Sequence, residues 1–360
     1  MKFDELLEID PYSLDRVQKR QMLSERLHEL TVKHAGGCES YRKMLDAVGF
    51  DSTAVAEEED YPFLPVRLFK ELDLCSVPKE DIIKTMTSSG TTGQRVSKIY
   101  VDRTTASRQQ KAMVKIVESF TGSSRMPMII IDSPSVIKNR AMFSARGAGI
   151  LGFSIFGRDK LYVLDDDMEL QVDALREFLE KHKGERIFIF GFTFMIWQHF
   201  YKKLLELDEH FDLSNAVMIH GGGWKKLQSE AVSPQEFHDR LQAVCGINSV
   251  HDYYGMVEQT GCIYMQCECG HLHASNFSDV IIRRPFDFSA AEKGEEGIIE
   301  VLSTIPESYP GHVLLTEDRG VLLGEDDCPC GRKGKYFKVL GRMKNAEIRG
   351  CSDTYAAKFN

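Results

Sequence analysis

Thr85–Met86–Thr87–Ser88–Ser89–Gly90–Thr91–Thr92–Gly93, followed by Gln94–Arg95–Val96–Ser97–Lys98, is the stretch on which the fold of this chain turns. Residues 88–93 are all Ser, Thr or Gly, and five residues later Lys98 opens a strand-like run, Lys98–Ile99–Tyr100–Val101. Glycines permit positive φ and close backbone approach, while hydroxyls and consecutive N–H groups wrap anionic oxygens. The same composition also makes a solvated surface turn. The Walker pattern, with Gly-Lys-Ser/Thr opening a helix, is absent. A nucleoside triphosphate held by a different kind of loop is the first expectation.

The bulk of the chain is compatible with that. Its 360 residues, 42% of them apolar, are enough for one large α/β domain or two smaller ones. Net charge is −9 with no dense basic tract, which argues against nucleic acid or an anionic membrane as the main partner. No apolar run reaches the ~18 residues of a membrane span. Met1–Lys2–Phe3–Asp4–Glu5 does not read as a secretory signal. Nine cysteines, an odd number outside any small secreted framework, point to reduced thiols and a cytoplasmic protein. Four of the nine fall in two Cys-x-Cys pairs.

Outward from the opening stretch, Ser13 precedes a helical pattern carrying Leu14, Val17, Leu23, Leu27 and Leu30, which ends near Gly36–Gly37. Thr104–Thr105 could cap a helix through Gln110 and Val114. Strand-like runs follow at 128–131, 187–190, 216–219 and 248–250. Helical stretches lie between them at 172–181, 194–207 and 234–244, with Gly184 and Gly246 as stops for the first and last. This alternation predicts a parallel sheet flanked by helices, with ligands beyond the carboxyl ends of its strands. After about residue 260, short strand-like pieces at 280–282, 299–302, 313–316 and 336–340 predict a smaller antiparallel or barrel-like subdomain. The expected division is 1–260 as the α/β nucleotide- and acyl-binding core, 261–350 as the β-rich subdomain, and 351–360 as a tail.

Three further loops sit where such a fold would bind ligand. His220–Gly221–Gly222–Gly223–Trp224 follows a strand; its glycines let backbone lie flat on a planar base beside His220 or Trp224, or simply make a tight turn. His251–Asp252–Tyr253–Tyr254–Gly255–Met256–Val257–Glu258 offers aromatics to stack on a base and a carboxylate for Mg²⁺, or an ordinary helix start. Thr316–Glu317–Asp318 and Gly341–Arg342 offer an aspartate for ribose hydroxyls and an arginine for ribose or phosphate.

Taken in order, these motifs resemble the nucleotide-binding series of the adenylate-forming superfamily of acyl-CoA synthetases, adenylation domains and luciferases. The likeness spans residues 85–350 and is strongest to the acyl-protein synthetases, the long-chain fatty acid–protein ligases of bacterial bioluminescence. It rests on Leu64–Pro65–Val66–Arg67–Leu68–Phe69–Lys70, residues 88–93, His220–Gly221–Gly222–Gly223–Trp224–Lys225 and Arg349–Gly350–Cys351–Ser352–Asp353–Thr354–Tyr355. The resemblance implies an α/β fold with a large adenylate-forming domain, a smaller β-rich subdomain, and no full mobile C-terminal domain. It implies ATP- and Mg²⁺-dependent activation of a carboxylic acid, such as a fatty acid, to an acyl adenylate, then transfer to a thiol. By family roles, Ser88, Ser89, Gly90, Thr91, Thr92, Gly93 and Lys98 would cradle the β- and γ-phosphates. Gly221, Gly222, Gly223, Tyr253, Tyr254 and Gly255 would hold adenine, Glu258 the Mg²⁺, Asp318 the ribose, and Arg342 ribose or phosphate.

The chain departs from the larger superfamily members, which continue past Gly-Arg into a domain carrying a catalytic lysine. Here the sequence given stops at Asn360, so that lysine would be absent, or replaced by Lys98, Lys344 or a partner's residue. The acid that usually follows the Gly-Arg pair is replaced by Met343–Lys344–Asn345. In the resembling ligases a cysteine near the C-terminus receives the acyl group, and Arg349–Gly350–Cys351 supplies one, with Arg349 favouring the thiolate. An incidental tail cysteine is the alternative.

The Cys-x-Cys pairs stand apart. Cys267–Glu268–Cys269–Gly270–His271–Leu272–His273 and Cys328–Pro329–Cys330–Gly331–Arg332 match zinc-ligand chemistry. Phenylacetate-CoA-ligase-like proteins carry similar turns, which implies a structural Zn²⁺. The donors expected are Cys267 or Cys269, His273, Cys328 and Cys330, against a metal-free subdomain with reduced thiols. Two rival functions stay open: an acyl- or aryl-CoA ligase in which Cys351 is a bystander, and a non-catalytic nucleotide-binding subunit. Protein partners implied are an acyl reductase, a thioesterase or a carrier protein.

Overall fold

A computed structural model describes residues 1–88, 95–138 and 145–343. The described chain divides into two compact units that are discontinuous in sequence: 1–88, 95–120 and 255–343 form one, and 121–138 and 145–254 the other. The N-terminal residues therefore sit with the β-rich segment, whereas sequence texture alone suggests a boundary near 260. Among the described residues, no helix is long and apolar enough to cross a membrane.

The first unit is built on an antiparallel sheet in the order Ser278–Arg283, Glu296–Ser303, Val313–Glu325, Lys335–Arg342, Leu272–His273, Tyr264–Gln266. Leu64–Pro65 adds to Val313–Glu325 in parallel, with Leu64 opposite Leu314. The helix Arg16–Gly37 supplies Leu27 to a cluster with Tyr61, Ile281, Leu302 and Val313. Its cap is Asp15, not Ser13: the Asp15 side chain accepts the Gln18 N–H while the Gln18 side chain returns to Asp15, so two orphan donors are satisfied reciprocally. Leu23, Leu27 and Leu30 are fully buried, but Val17, read as part of the same face, is 75% exposed. A separate hairpin joins Ile82–Thr87 to Lys98–Asp102, with Thr87 opposite Lys98. It feeds the helix Arg103–Thr121, whose first turn is held by Asp102: its carboxylate accepts the Thr105 N–H at 2.7 Å. Thr105, a candidate cap by sequence, instead accepts the backbone N–H groups of Glu307 and Ser308 on its hydroxyl.

The second unit is the predicted parallel sheet. Its order is Gly157–Tyr162, Met126–Ile131, Ile187–Phe192, Ala216–Gly221, Ser249–Tyr254. Every residue of the three central strands is buried, as expected where helices cover both faces and strands read as continuous apolar runs. Gly157–Tyr162, which sequence alone does not suggest, is an edge strand with Arg158, Asp159 and Lys160 exposed; that charged edge both hides its pattern and discourages stray pairing. Pro234–Cys245 is capped by Ser233, whose hydroxyl accepts the Glu236 N–H, and stopped by Gly246 at φ +73°. The helix expected over 194–207 is interrupted: Ile196–Tyr201 is π-helical, between the short α segments Thr193–Met195 and Lys202–Glu206.

Candidate functional site

The Ser/Thr/Gly stretch connects the two strands of the hairpin in the first unit. Ser88 donates its N–H to the Ser97 carbonyl at 3.3 Å, and the Ser97 N–H returns to the Ser88 hydroxyl at 2.9 Å. The connection is thus pinched at its base. Ser89, Gly90, Thr91, Thr92 and Gly93 lie outside the described residues, as does Cys351. Lys98 begins the second strand and is exposed; its ammonium lies 3.3 Å from Asp73, which also accepts the Tyr100 hydroxyl at 2.6 Å.

Glu258 sits on a buried 3₁₀ turn, Val257–Gln259, in the same unit. Two side chains fix that turn. Gln259 donates its amide to the carbonyls of Val301 and Gly311 at 3.0 and 2.9 Å, and Tyr309 donates its hydroxyl to the Glu258 carbonyl at 2.9 Å. Gly311 is required there, because a Cβ would lie 2.2 Å from the Tyr309 ring. Burial pushes the Glu258 carboxyl above its ordinary range; the Ser97 hydroxyl beside it and the Arg342 charge pull it back, while Glu317 raises it. The Ser97 hydroxyl is itself buried and forms no hydrogen bond of normal geometry.

Asp318 and Arg342 are brought together by strand register. They stand opposite each other, with the Arg342 Nε 3.6 Å from the Asp318 carboxylate. The Thr316 hydroxyl donates to the Ile299 carbonyl at 2.7 Å and accepts the Asp318 N–H at 3.1 Å, which fixes the aspartate's backbone. The preceding Gly341 has φ +109°, where the register shifts and a side chain would be strained.

In the second unit the glycine turn follows Ala216–Gly221. Gly221 pairs with Tyr253 in register, and a Cβ there would lie 2.5 Å from the Tyr253 ring, so the absent side chain is what admits the tyrosine. That ring lies 5.1 Å from Phe153, which stacks on Phe190 at 4.3 Å. Gly222 has φ +80°, and Gly223 faces open space. Tyr254 is half-buried, and the following Gly255 is exposed. His220 is committed to the core: Thr193 Oγ1 lies 2.9 Å from its Nδ1, Phe237 packs 4.8 Å from its ring, and burial pushes it down to about 3. Trp224 belongs to an aromatic group with Trp197 and Phe237.

The two Cys-x-Cys turns converge in the first unit. Donor atoms of Cys267, His273, Cys328 and Cys330 all lie within 4.8 Å of one another. Cys267 Sγ is 3.9 Å from Cys328 Sγ, and Cys330 Sγ is 3.4 Å from His273 Nε2. Cys269 is exposed and outside this group; its N–H points to Cys267 Sγ at 3.4 Å. His271 Nδ1 lies 3.3 Å from Cys328 Sγ, a support that the sequence does not single out. Tyr336 stacks on both imidazoles.

Ser97, Gln259 and Tyr309 surround the candidate acid and escape a motif-based reading. Ser97 lies in the opening stretch and could be suspected from its hydroxyl; Tyr309 is far from Glu258 in sequence and becomes relevant only through packing.

Compared with known proteins, residues 2–360 match the model of the family described as acyl-protein synthetase, LuxE. A long-chain-fatty-acid–luciferin-component ligase of Vibrio harveyi is 21% identical over 357 residues, covering 95% of this chain and 90% of the relative. One of the same name from Aliivibrio fischeri is 23% identical over 304 residues, covering 82% and 77%. Among solved structures, an open conformation of 2-hydroxyisobutyryl-CoA ligase, in complex with 2-HIB-AMP and CoA, shares the fold. Its TM-score is 0.69 over 93% of this chain and 77% of that one, at 14% identity.

Proposed function

Because the chain belongs to the LuxE family of acyl-protein synthetases, we propose that it activates a fatty or related carboxylic acid with ATP and passes the acyl group to the Cys351 thiol. In the first half-reaction a carboxylate oxygen attacks the α-phosphorus, an O–P bond forms, and pyrophosphate leaves. In the second, the thiolate attacks the acyl carbonyl carbon, a C–S bond forms, and AMP departs with the electrons of the broken C–O bond. Positioning and charge neutralisation carry such chemistry more than acid-base groups do.

The observation that carries this reading is the placement of Glu258. Its buried carboxyl lies against the Ser97 hydroxyl, at the base of the hairpin whose connection bears residues 88–93. A buried carboxylate beside a serine hydroxyl offers oxygen donors of the kind Mg²⁺ takes alongside phosphate. Mg²⁺ bound there would supply charge neutralisation on the phosphates. In this reading Ser88, the residues after it to Gly93, and Lys98 engage phosphate, and Asp318 with Arg342 engages ribose. The glycines 221–223 with Tyr253, Tyr254 and Gly255 engage adenine.

A structural Zn²⁺ belongs to the same proposal. Tetrahedral coordination with bonds of about 2.3 Å to sulfur and 2.0 Å to nitrogen places donors about 3.8 and 3.5 Å apart. The 3.9 and 3.4 Å separations in the cluster fit that demand. The His273 Nε2 lies at the cluster, whereas its Nδ1 is buried without a hydrogen bond. With Cys267, His273, Cys328 and Cys330 as ligands the site is closed, so the ion would clasp two turns and take no part in the reaction. A cytoplasmic location and an acyl reductase, thioesterase or carrier as recipient of the acyl group complete the proposal.

The test is incubation with labelled fatty acid, ATP and Mg²⁺, followed by gel detection of a hydroxylamine-sensitive protein adduct. The adduct is expected on the wild type and absent from Cys351→Ala. An unchanged adduct on that variant removes self-acylation, and label appearing only on added coenzyme A favours a CoA ligase.

A further inference from the structure

The π-helical turn Ile196–Tyr201 closes with a hydrogen bond from the Lys202 N–H to the Trp197 carbonyl. Those two residues are five apart. At about 100° per residue in an α-helix they would stand roughly 140° apart around the axis, whereas the wider π turn brings them toward one face. There they meet a single carboxylate oxygen: Glu230 Oε2 accepts the Trp197 Nε1–H at 3.3 Å and lies 2.6 Å from the Lys202 ammonium. Glu230 ends the short segment Lys225–Glu230, which runs on directly from Gly221–Gly222–Gly223–Trp224. Trp224, just before that segment, packs its ring across Trp197 at 5.0 Å and 76°. The stretch after the glycine turn is therefore held at both ends by Trp197. Tyr201 stacks on that indole at 4.7 Å, and the Arg240 guanidinium lies 5.2 Å from its centroid, so the anchor itself is fixed.

We propose that Glu230 is a positioning residue for the nucleotide base: by clasping Trp197 and Lys202 it holds the Gly221–Gly223 turn in the shape that receives adenine. This rests on the reading of that turn as the adenine seat. Gly222 stands at φ +80° and a side chain at Gly223 would meet nothing within 4 Å, so the turn has a freely rotating backbone and little packing of its own to order it. A turn left loose must be ordered at the moment of binding, which subtracts from affinity. The clasp supplies that order beforehand, and gives the π turn a purpose, since an α-helical path would part its two donors. Its effect is on position more than on stability. Lys202 and Glu230 are 31% and 38% exposed, and ion pairs so open to water add little to the folding free energy.

The experiment measures calorimetric binding of a non-hydrolysable ATP analogue to the full chain, with thermal melts of every variant. Glu230→Ala is expected to weaken binding about tenfold, as when a binding loop must be ordered by its ligand. Glu230→Gln keeps an acceptor for the Trp197 Nε1–H but loses the charge for Lys202, and should weaken binding less. Lys202→Met, which removes the cation and keeps the stem, should match Glu230→Gln and serves as the comparison if Glu230→Ala melts early. In acid-dependent pyrophosphate–ATP exchange the KM for ATP should rise in these variants while kcat and the KM for the acid stay near the wild type. A merely structural contact would lower the melt and leave the KM for ATP unchanged. Wild-type analogue affinity in folded Glu230→Ala and Lys202→Met overturns the proposal and leaves the adenine reading standing. A wild type that binds no analogue removes the adenylation reading, and the clasp with it.

Discussion

Tyr336 lies opposite His273 in antiparallel register and stacks on its imidazole, with ring centroids 5.5 Å apart at 25°. The strand that begins at this stack, Lys335–Arg342, ends at the residue facing Asp318. One strand therefore joins the Cys/His cluster to the candidate ribose pair.

Chelation is expected to loosen that strand. A structural metal contributing a few kcal/mol implies a fall in Tm of about 5–10 °C, at roughly 2–4 °C per kcal/mol for a domain of this size. Thermal melts with and without chelator, combined with zinc analysis, check this. Because Cys269 is exposed and outside the cluster, Cys269→Ser should retain full metal content, while Cys328→Ser should lose it. Equal zinc content in the two variants contradicts the assigned ligand set.

Gly221 and Gly223 should respond differently to alanine. A Cβ at Gly221 enters the Tyr253 ring, which Phe153 backs, so Gly221→Ala should cost about 1–3 kcal/mol by overpacking. At Gly223 a Cβ meets nothing within 4 Å, and the change should stay within about 0.5 kcal/mol. Urea denaturation of the two variants gives the comparison.

Acid should destabilise the first unit early. His34 accepts the Ser76 hydroxyl at 2.8 Å on Nδ1 and donates from Nε2 to the Pro306 carbonyl at 3.1 Å. His312 sits against it, with Thr31 and Tyr41 hydroxyls around its Nε2. Burial pushes His34 down to about 3, and His312 well below its ordinary value. Unfolded imidazoles take up protons near 6.5 and the native ones do not. Their contribution is complete above about pH 7 and declines as pH falls from 6.5 toward 3, by up to ~1.4 kcal/mol per pH unit for each. Urea midpoints should therefore drop between pH 7 and pH 5; equal midpoints contradict neutral burial.

Glu307 gathers three cations, Arg26, Lys33 and Arg108. Burial alone would raise its carboxyl, yet Arg26, with Lys33 and Arg108, holds it down at about 2. Its contribution is present above about pH 4.5 and is lost only as pH falls from there toward 2. Glu307→Gln strands partly buried guanidinium groups and should cost on the order of 3 kcal/mol at neutral pH, read from thermal melts.

The parallel sheet was legible because its three central strands are buried on both faces and therefore read as unbroken apolar runs. Gly157–Tyr162 was not, since three of its residues are charged and exposed at the edge. Register made the Asp318–Arg342 pair visible only in three dimensions, although each residue stood in a recognisable motif. Cys267 and Cys269 were indistinguishable by spacing, and only burial and convergence separate them. Capping misled twice for one reason: Ser13 and Thr104–Thr105 are good cap residues, but Asp15 and Asp102 lie where the first-turn N–H groups point.

Glu258 is the residue on which the functional account depends. The most direct test is acid-dependent pyrophosphate–ATP exchange by metal-replete wild type and Glu258→Gln, with thermal melts to show that both are folded. The account predicts exchange that requires fatty acid and Mg²⁺ in the wild type, and a loss of at least about 100-fold in the variant, as for removal of a group that stabilises transition-state charge. Folded wild type without acid-dependent exchange, or a variant that exchanges at the wild-type rate, would contradict it.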